Sequence, residues 1–217
     1  MTQYYVNGRK VETAADFISF DQMLKTIEDH HLESGSVIRE IHVDGRTLTM
    51  DRNTDDDCTF GQMENWKKIE IFTATLLDVA RESAAGAQDY LNRIEKAVPT
   101  LVLRFQDIPA PEDFTSLRSL CEGFLFLNLL LDKLATGYRI NFDQVTVRDN
   151  TVREQLVRFV GVVKQLTEAQ ECRDCNLITD TLEYEILPVV PVWKEIFTAV
   201  LEKINQSSAL KCRKNVR

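Results

Sequence analysis

The chain has 217 residues, of which 44% are hydrophobic and 28% charged, with a net charge of −8. That length buries a substantial core in one domain or two small ones, and 8 glycines with 5 prolines exclude a collagenous or low-complexity chain. The acidic balance argues against a nucleic-acid partner, because phosphate contacts need concentrated Lys and Arg.

Residues 1–74 carry 8 basic and 14 acidic side chains, net −6, whereas residues 75–217 carry 18 and 20, net −2. Five cysteines (Cys58, Cys121, Cys172, Cys175, Cys212) are irregularly spaced, and the opening MTQYYVNGRK has no apolar core of a signal peptide. The most apolar run, Phe124–Leu131 (FLFLNLLL), is eight residues long, against the ~20 of a spanning helix. A cytoplasmic, reduced protein with no membrane partner is the expectation.

In chain order, Val6-Asn7-Gly8-Arg9 and Val43-Asp44-Gly45-Arg46 share the pattern V-[N/D]-G-R. Both central pairs tolerate positive φ, as a two-residue type I′ hairpin requires. Strand alternation then puts Tyr4 and Val6 on one face with Arg9 and Val11, and Ile41 and Val43 with Leu48 and Met50. Between the hairpins, Ser19 and Gln22 form a capping box, and Phe20, Met23, Leu24, Ile27 and His31 share a helical face. Gly35 is placed to stop that helix. Lys67–Ala74 alternates again, with Ile69 and Ile71 on one side. This order of hairpin, helix, second hairpin and final strand resembles the β-grasp (ubiquitin-like) layout over residues 1–74, by topology and without a shared motif. A modifier role is not implied, since the chain closes on Asn215-Val216-Arg217.

From Thr75 the apolar period changes to about 3.6. Leu76, Val79, Ala80, Ala87, Leu91, Ile94, Val98 and Leu101 mark a long helix, expected to bend or end near Pro99, and residues 106–111 form a break. A second helix is expected from Glu112 to Thr136, stopped by Gly137. Its FLFLNLLL run reads as apolar on nearly all sides, so the middle of a bundle is its expected place. Thr151 and Glu154 make another capping box, opening a helix with Leu156, Phe159, Val160, Val163 and Leu166 inward. The stretch Leu177–Ile204 is interrupted by Pro188 and Pro191. An interior proline costs a helix ~3 kcal/mol, which suggests a sharp kink or two helices. The fold class expected is α+β: a small β-grasp-like N-terminal domain, 1–74, followed by a bundle of four to five helices, 75–217.

Cys172-Arg173-Asp174-Cys175 is the motif with reactive potential, since C-x-x-C can hold a metal or close a redox disulfide. All three histidines (His30, His31, His42) precede it by more than a hundred residues, and no second C-x-x-C exists. Loop cysteines are therefore the preferred reading, with thiol redox or metal binding through Cys172 and Cys175 as the alternative. Asp51, Asn53 and Asp55 match the first oxygens of an EF-hand loop, but Asp56 stands where the turn needs glycine; a solvated acidic loop is expected. Asp180, Glu183 and Glu185 surround Tyr184 without the histidine that a di-iron site uses. Neither a P-loop, a strand-linked G-x-G-x-x-G nor a nucleophile elbow is present.

The sequence thus leans away from an enzyme and requires no cofactor. It reads as an interaction or scaffold protein whose head offers a sheet face or edge to another protein, a basic one if electrostatics recruit it. Tyr5, Lys10, Arg39 and Glu40 are the expected outward groups, and the helical part is expected to hold the head or to form a homodimer.

Overall fold

A computed structural model of the chain describes residues 2–12, 17, 19–32, 35–48 and 66–214, with the last six of these as backbone only. The Asp51–Asp57 stretch and the Met50 position lie outside the described residues. The protein is α+β: a mixed sheet in the N-terminal part is followed by a helical C-terminal part. Two units separate within it, Met1–Val79 and Ala80–Arg217.

In the first unit both glycine turns form as their residue pairs demand. Asn7 and Gly8 take φ of 49° and 78°, and Asp44 and Gly45 take 48° and 81°. They close β1 (Gln3–Val6) onto β2 (Arg9–Val11) and β3 (Ser36–Val43) onto β4 (Arg46–Thr47). Strand β5 (Lys68–Thr75) enters between the hairpins, parallel to β1 and antiparallel to β3, giving the β-grasp-like order β2-β1-β5-β3-β4. The first residue of each turn also ties its hairpin to β5. Asn7 accepts the Thr73 N–H at 3.0 Å and donates to the Thr73 hydroxyl at 2.8 Å. At the other end of β5, the Asp44 carboxylate accepts the Lys67 and Lys68 N–H groups at 3.1 and 2.8 Å.

Helix α1 (Phe20–His31) starts where the Ser19 hydroxyl accepts the Gln22 N–H, satisfying one orphan donor of the first turn. Its Phe20, Met23 and Ile27 pack with Val6, Ile41, Ile69 and Ile71 as one buried core. Each such side chain contributes about 1.5–3 kcal/mol by leaving water. Tyr4 against Phe17 and Phe20 against Trp66 close the margin with edge-to-face ring contacts.

The second unit differs in detail from the pattern expected of it. Helix α2 (Leu76–Gln106) does not end at Pro99. Val98, Leu101, Val102 and Phe105 continue its buried stripe, and their combined burial outweighs the ~3 kcal/mol penalty of one interior proline. Helix α3 (Pro111–Tyr138) passes through Gly137 and stops at Arg139, whose φ of 55° is left-handed. The FLFLNLLL run is not enclosed. Phe124, Leu127 and Leu131 are buried, whereas Leu125, Phe126 and Leu129 are 56, 62 and 55% exposed; a helical period splits any apolar run between two faces.

A short hairpin of β6 (Thr146–Val147) and β7 (Asn150–Thr151) precedes helix α4 (Val152–Cys172). Its turn holds Arg148 at φ 56°, a residue type that does not advertise such a turn. The Thr151–Glu154 capping box forms in both directions. In α4, Phe159, Val163 and Leu166 are buried as expected, Leu156 is half-buried, and Val160 is 54% exposed. The two later prolines do not split the last helical stretch. It runs from α5 (Cys175–Asp180) through a π-helical segment, Thr181–Ile186, into α6 (Leu187–Lys214). The Leu187 N–H reaches back to the Leu182 carbonyl, and this widened turn accommodates Pro188, which lacks the donor a tighter turn would use. Phe124, Phe159, Trp193 and Phe197 meet in the core, with ring centroids 4.7–6.4 Å apart.

Candidate functional site

Because side chains alternate along a strand, the sheet of the first unit has an inner face on α1 and an outer face that no described element of that unit covers. Register carries one row of side chains across the outer face. Lys10 of β2 pairs with Tyr5 of β1, Tyr5 with Glu70 of β5, Glu70 with His42 of β3, and His42 with Thr47 of β4. Three of the four outward residues expected from sequence, Tyr5, Lys10 and Glu40, fall on this face. Arg39 occupies the irregularity between Ile38 and Glu40, where it is exposed with its guanidinium 3.7 Å from Glu40. A bulge of this kind re-aims side chains beside a sheet edge.

The row is chemically mixed. Lys68 places its ammonium 5.0 Å from the Tyr5 ring centroid and 2.7 Å from a Glu70 oxygen. The His42 Nε2 lies 3.3 Å from both Glu40 and the Thr47 hydroxyl, and its ring contacts Phe72 at 4.8 Å. Half-buried rings of Tyr5 and Phe72 therefore sit among paired charges, an amphipathic surface of the kind that binding faces favour. Sequence reasoning missed Lys68, Glu70, Phe72 and His42. The alternation of β5 already placed Lys68, Glu70 and Phe72 opposite Ile69 and Ile71, but only register joins them to Tyr5.

The cysteine pair flanks the turn from α4 into α5. Cys172 ends α4 and is exposed, while Cys175 begins α5 and is half-buried. Between them Arg173 turns left-handed at φ 54° and the Asp174 carboxylate caps α5 by accepting the Leu177 N–H at 3.0 Å. The Cys175 thiol donates a long 3.7 Å contact to the Arg173 carbonyl. Both are free thiols, as is Cys121, whose burial, with Glu122 adding to it, pushes its pKa up to about 11. Among the described residues no three His, Cys, Asp or Glu side chains cluster as a metal site. Of the three acids near Tyr184, Glu185 faces Arg158 at 3.7 Å, and Tyr184 is exposed.

In the helical unit, one cleft of about 500 Å³ is lined by polar groups already engaged, Arg148 with Glu195 at 2.7 Å and Lys194 with the nearby Glu95 at 2.6 Å. A second, of about 510 Å³, lies between α3 and α4 and is bordered by Leu125, Leu129, Val157 and Val160. Although FLFLNLLL alone is short, α3 as a whole is long and apolar enough to cross a membrane, with a mean hydropathy of 1.3 over its best window. A third of that window is nonetheless buried within the protein, with Leu117, Phe124, Leu127 and Leu131 inward.

No curated protein and no solved structure matches the chain. A family model does, over residues 82–196, from the first turns of α2 to the middle of α6. It describes a domain of unknown function, DUF8042, and by that match over more than half its length the chain belongs to the DUF8042 family.

Proposed function

We propose that this is a non-catalytic interaction or scaffold protein, cytoplasmic, whose β-grasp-like head contacts another protein through the outer face of its sheet. The observation that carries this reading is the row Lys10–Tyr5–Glu70–His42–Thr47 crossing all five strands on the side opposite α1. Tyrosine is an economical anchor because it buries a large ring at the expense of few rotamers and keeps a polar tip. The surrounding Lys68, Glu70 and Glu40 set orientation more than affinity. A net charge of −6 over residues 1–74 favours encounter with a basic partner.

Affinity purification from the native cell, followed by mass spectrometry, tests this. The wild-type chain recovers a specific protein, and Tyr5→Ala combined with Glu40→Arg loses it while leaving the melting temperature unchanged. Recovery that ignores both substitutions would overturn the assignment of the face.

A further inference from the structure

We propose that His42 is a proton-operated switch on the outer face of the sheet, its charge deciding whether Glu40 is offered outward or held within the face. Its effect on a partner rests on the sheet-face reading above; the switch itself does not. The His42 Nε2 on β3 lies 3.3 Å from one Glu40 oxygen and 3.3 Å from the Thr47 hydroxyl of β4. The ring is half-buried and seated against Phe72 of β5, with centroids 4.8 Å apart.

Among the described residues, two acids face the ring: Glu40, two positions before it on β3, and Glu70, opposite it on β5. Glu70 is already held by the Lys68 ammonium at 2.7 Å. Glu40 is exposed, and its other oxygen has the Arg39 Nε at 3.7 Å, a looser hold. Lys68 and Arg39 are thus the cations of this cluster, Thr47 is uncharged, and α1 packs on the opposite face. Of the two carboxylates, Glu40 is the one whose freedom a change at His42 controls.

A neutral imidazole has one N–H and one lone pair. With the lone pair on Nε2, the ring accepts from Thr47 and meets the Glu40 carboxylate as a second acceptor, so Glu40 is free to turn outward. With the proton on Nε2, Glu40 accepts a hydrogen bond from an uncharged ring. An imidazolium donates from both nitrogens, so for either tautomer protonation makes the Glu40 contact a charge-assisted one. Histidine is the side chain whose charge ordinarily changes between about pH 5 and 8. A basic partner met by Glu40 at neutral pH meets, on acidification, a closed ion pair and one more positive charge, and is released.

Nuclear magnetic resonance on the isotope-labelled full chain reads the switch with the proton as its only ligand. From about pH 8 to 5, the Glu40 carboxyl carbon is expected to shift in step with the His42 ring nitrogens, and in His42→Gln that step disappears. The wild-type titration remains decisive if His42→Gln fails to fold. A Glu40 signal that ignores the His42 titration, or a step that persists in His42→Gln, would overturn the switch. Affinity capture at about pH 7.5 and 5.5 adds the second arm. Wild type recovers roughly tenfold less protein at the lower pH, and His42→Gln loses less than about twofold. Coupled shifts with no protein captured at either pH would retain the switch and sink the sheet-face reading. Equal capture at both pH values without coupled shifts would do the reverse.

Discussion

Asp113 is the one acidic side chain buried among the described residues, at 5% exposure. Its carboxylate receives Arg104 at 2.8 Å and the Ala110 N–H at 2.9 Å, so it closes the turn between α2 and α3 from inside α3. Ala110 has no side-chain acceptor of its own, and the Asp113 N–H donates instead to the Ala110 carbonyl at 3.0 Å. The Arg104 hydrogen bond, then the Ala110 N–H, holds the carboxyl below its ordinary value of 3.8. A folded pKa lower than the unfolded one stabilises the protein above the unfolded value, and that stabilisation is lost as pH falls through the folded value. Asp113→Ala therefore lowers the melting temperature at pH 7, and the deficit against wild type narrows in scans below pH ~4. A deficit that stays constant down to pH ~2 would assign the effect to packing alone.

At the scale of elements, Gly123 shows how one missing methyl group sets a helix pair. A Cβ there would overlap the Tyr90 hydroxyl and ring edge from α2. Gly123→Ala is expected to destabilise the fold by about 1–3 kcal/mol through overpacking. In a Tyr90→Ala background the sign should reverse, since alanine is the better helix former by ~1 kcal/mol. Chemical denaturation of the four chains in a double-mutant cycle reads this directly. Additive effects would place the steric conflict elsewhere.

Elements whose determinants are local were legible in the chain itself. Asn7-Gly8 and Asp44-Gly45 dictate hairpins because few other pairs adopt two positive φ values, and the Ser19 and Thr151 caps mark helix starts with their own hydrogen bonds. What failed depended on distant partners. Pro99 predicts a bend or an end because its penalty is local, while the burial that carries the helix on to Gln106 comes from other helices. Residues 124–131 were read as enclosed because hydropathy counts side chains without saying which face has a neighbour. The same division holds at the site. Alternation pointed to Tyr5, Lys10 and Glu40 as outward residues, but joining them to Glu70, Phe72 and His42 required the strand register, which no segment contains alone.

For the molecule as a whole, the DUF8042 match covers residues 82–196 and leaves the sheet outside it, so the proposed binding face and the family's own domain are separate parts of one chain. Within the family domain, the conspicuous open surface is apolar and lies on α3 and α4; within the head, it is amphipathic and lies on the sheet. Site-specific photo-crosslinking in the native cell tests the central claim most directly. A photoreactive residue at Lys10, exposed on the outer face, is expected to capture a specific protein. The same residue at Lys25, exposed on α1, is expected to capture none. Equal capture from both positions, or none from Lys10, would contradict the account.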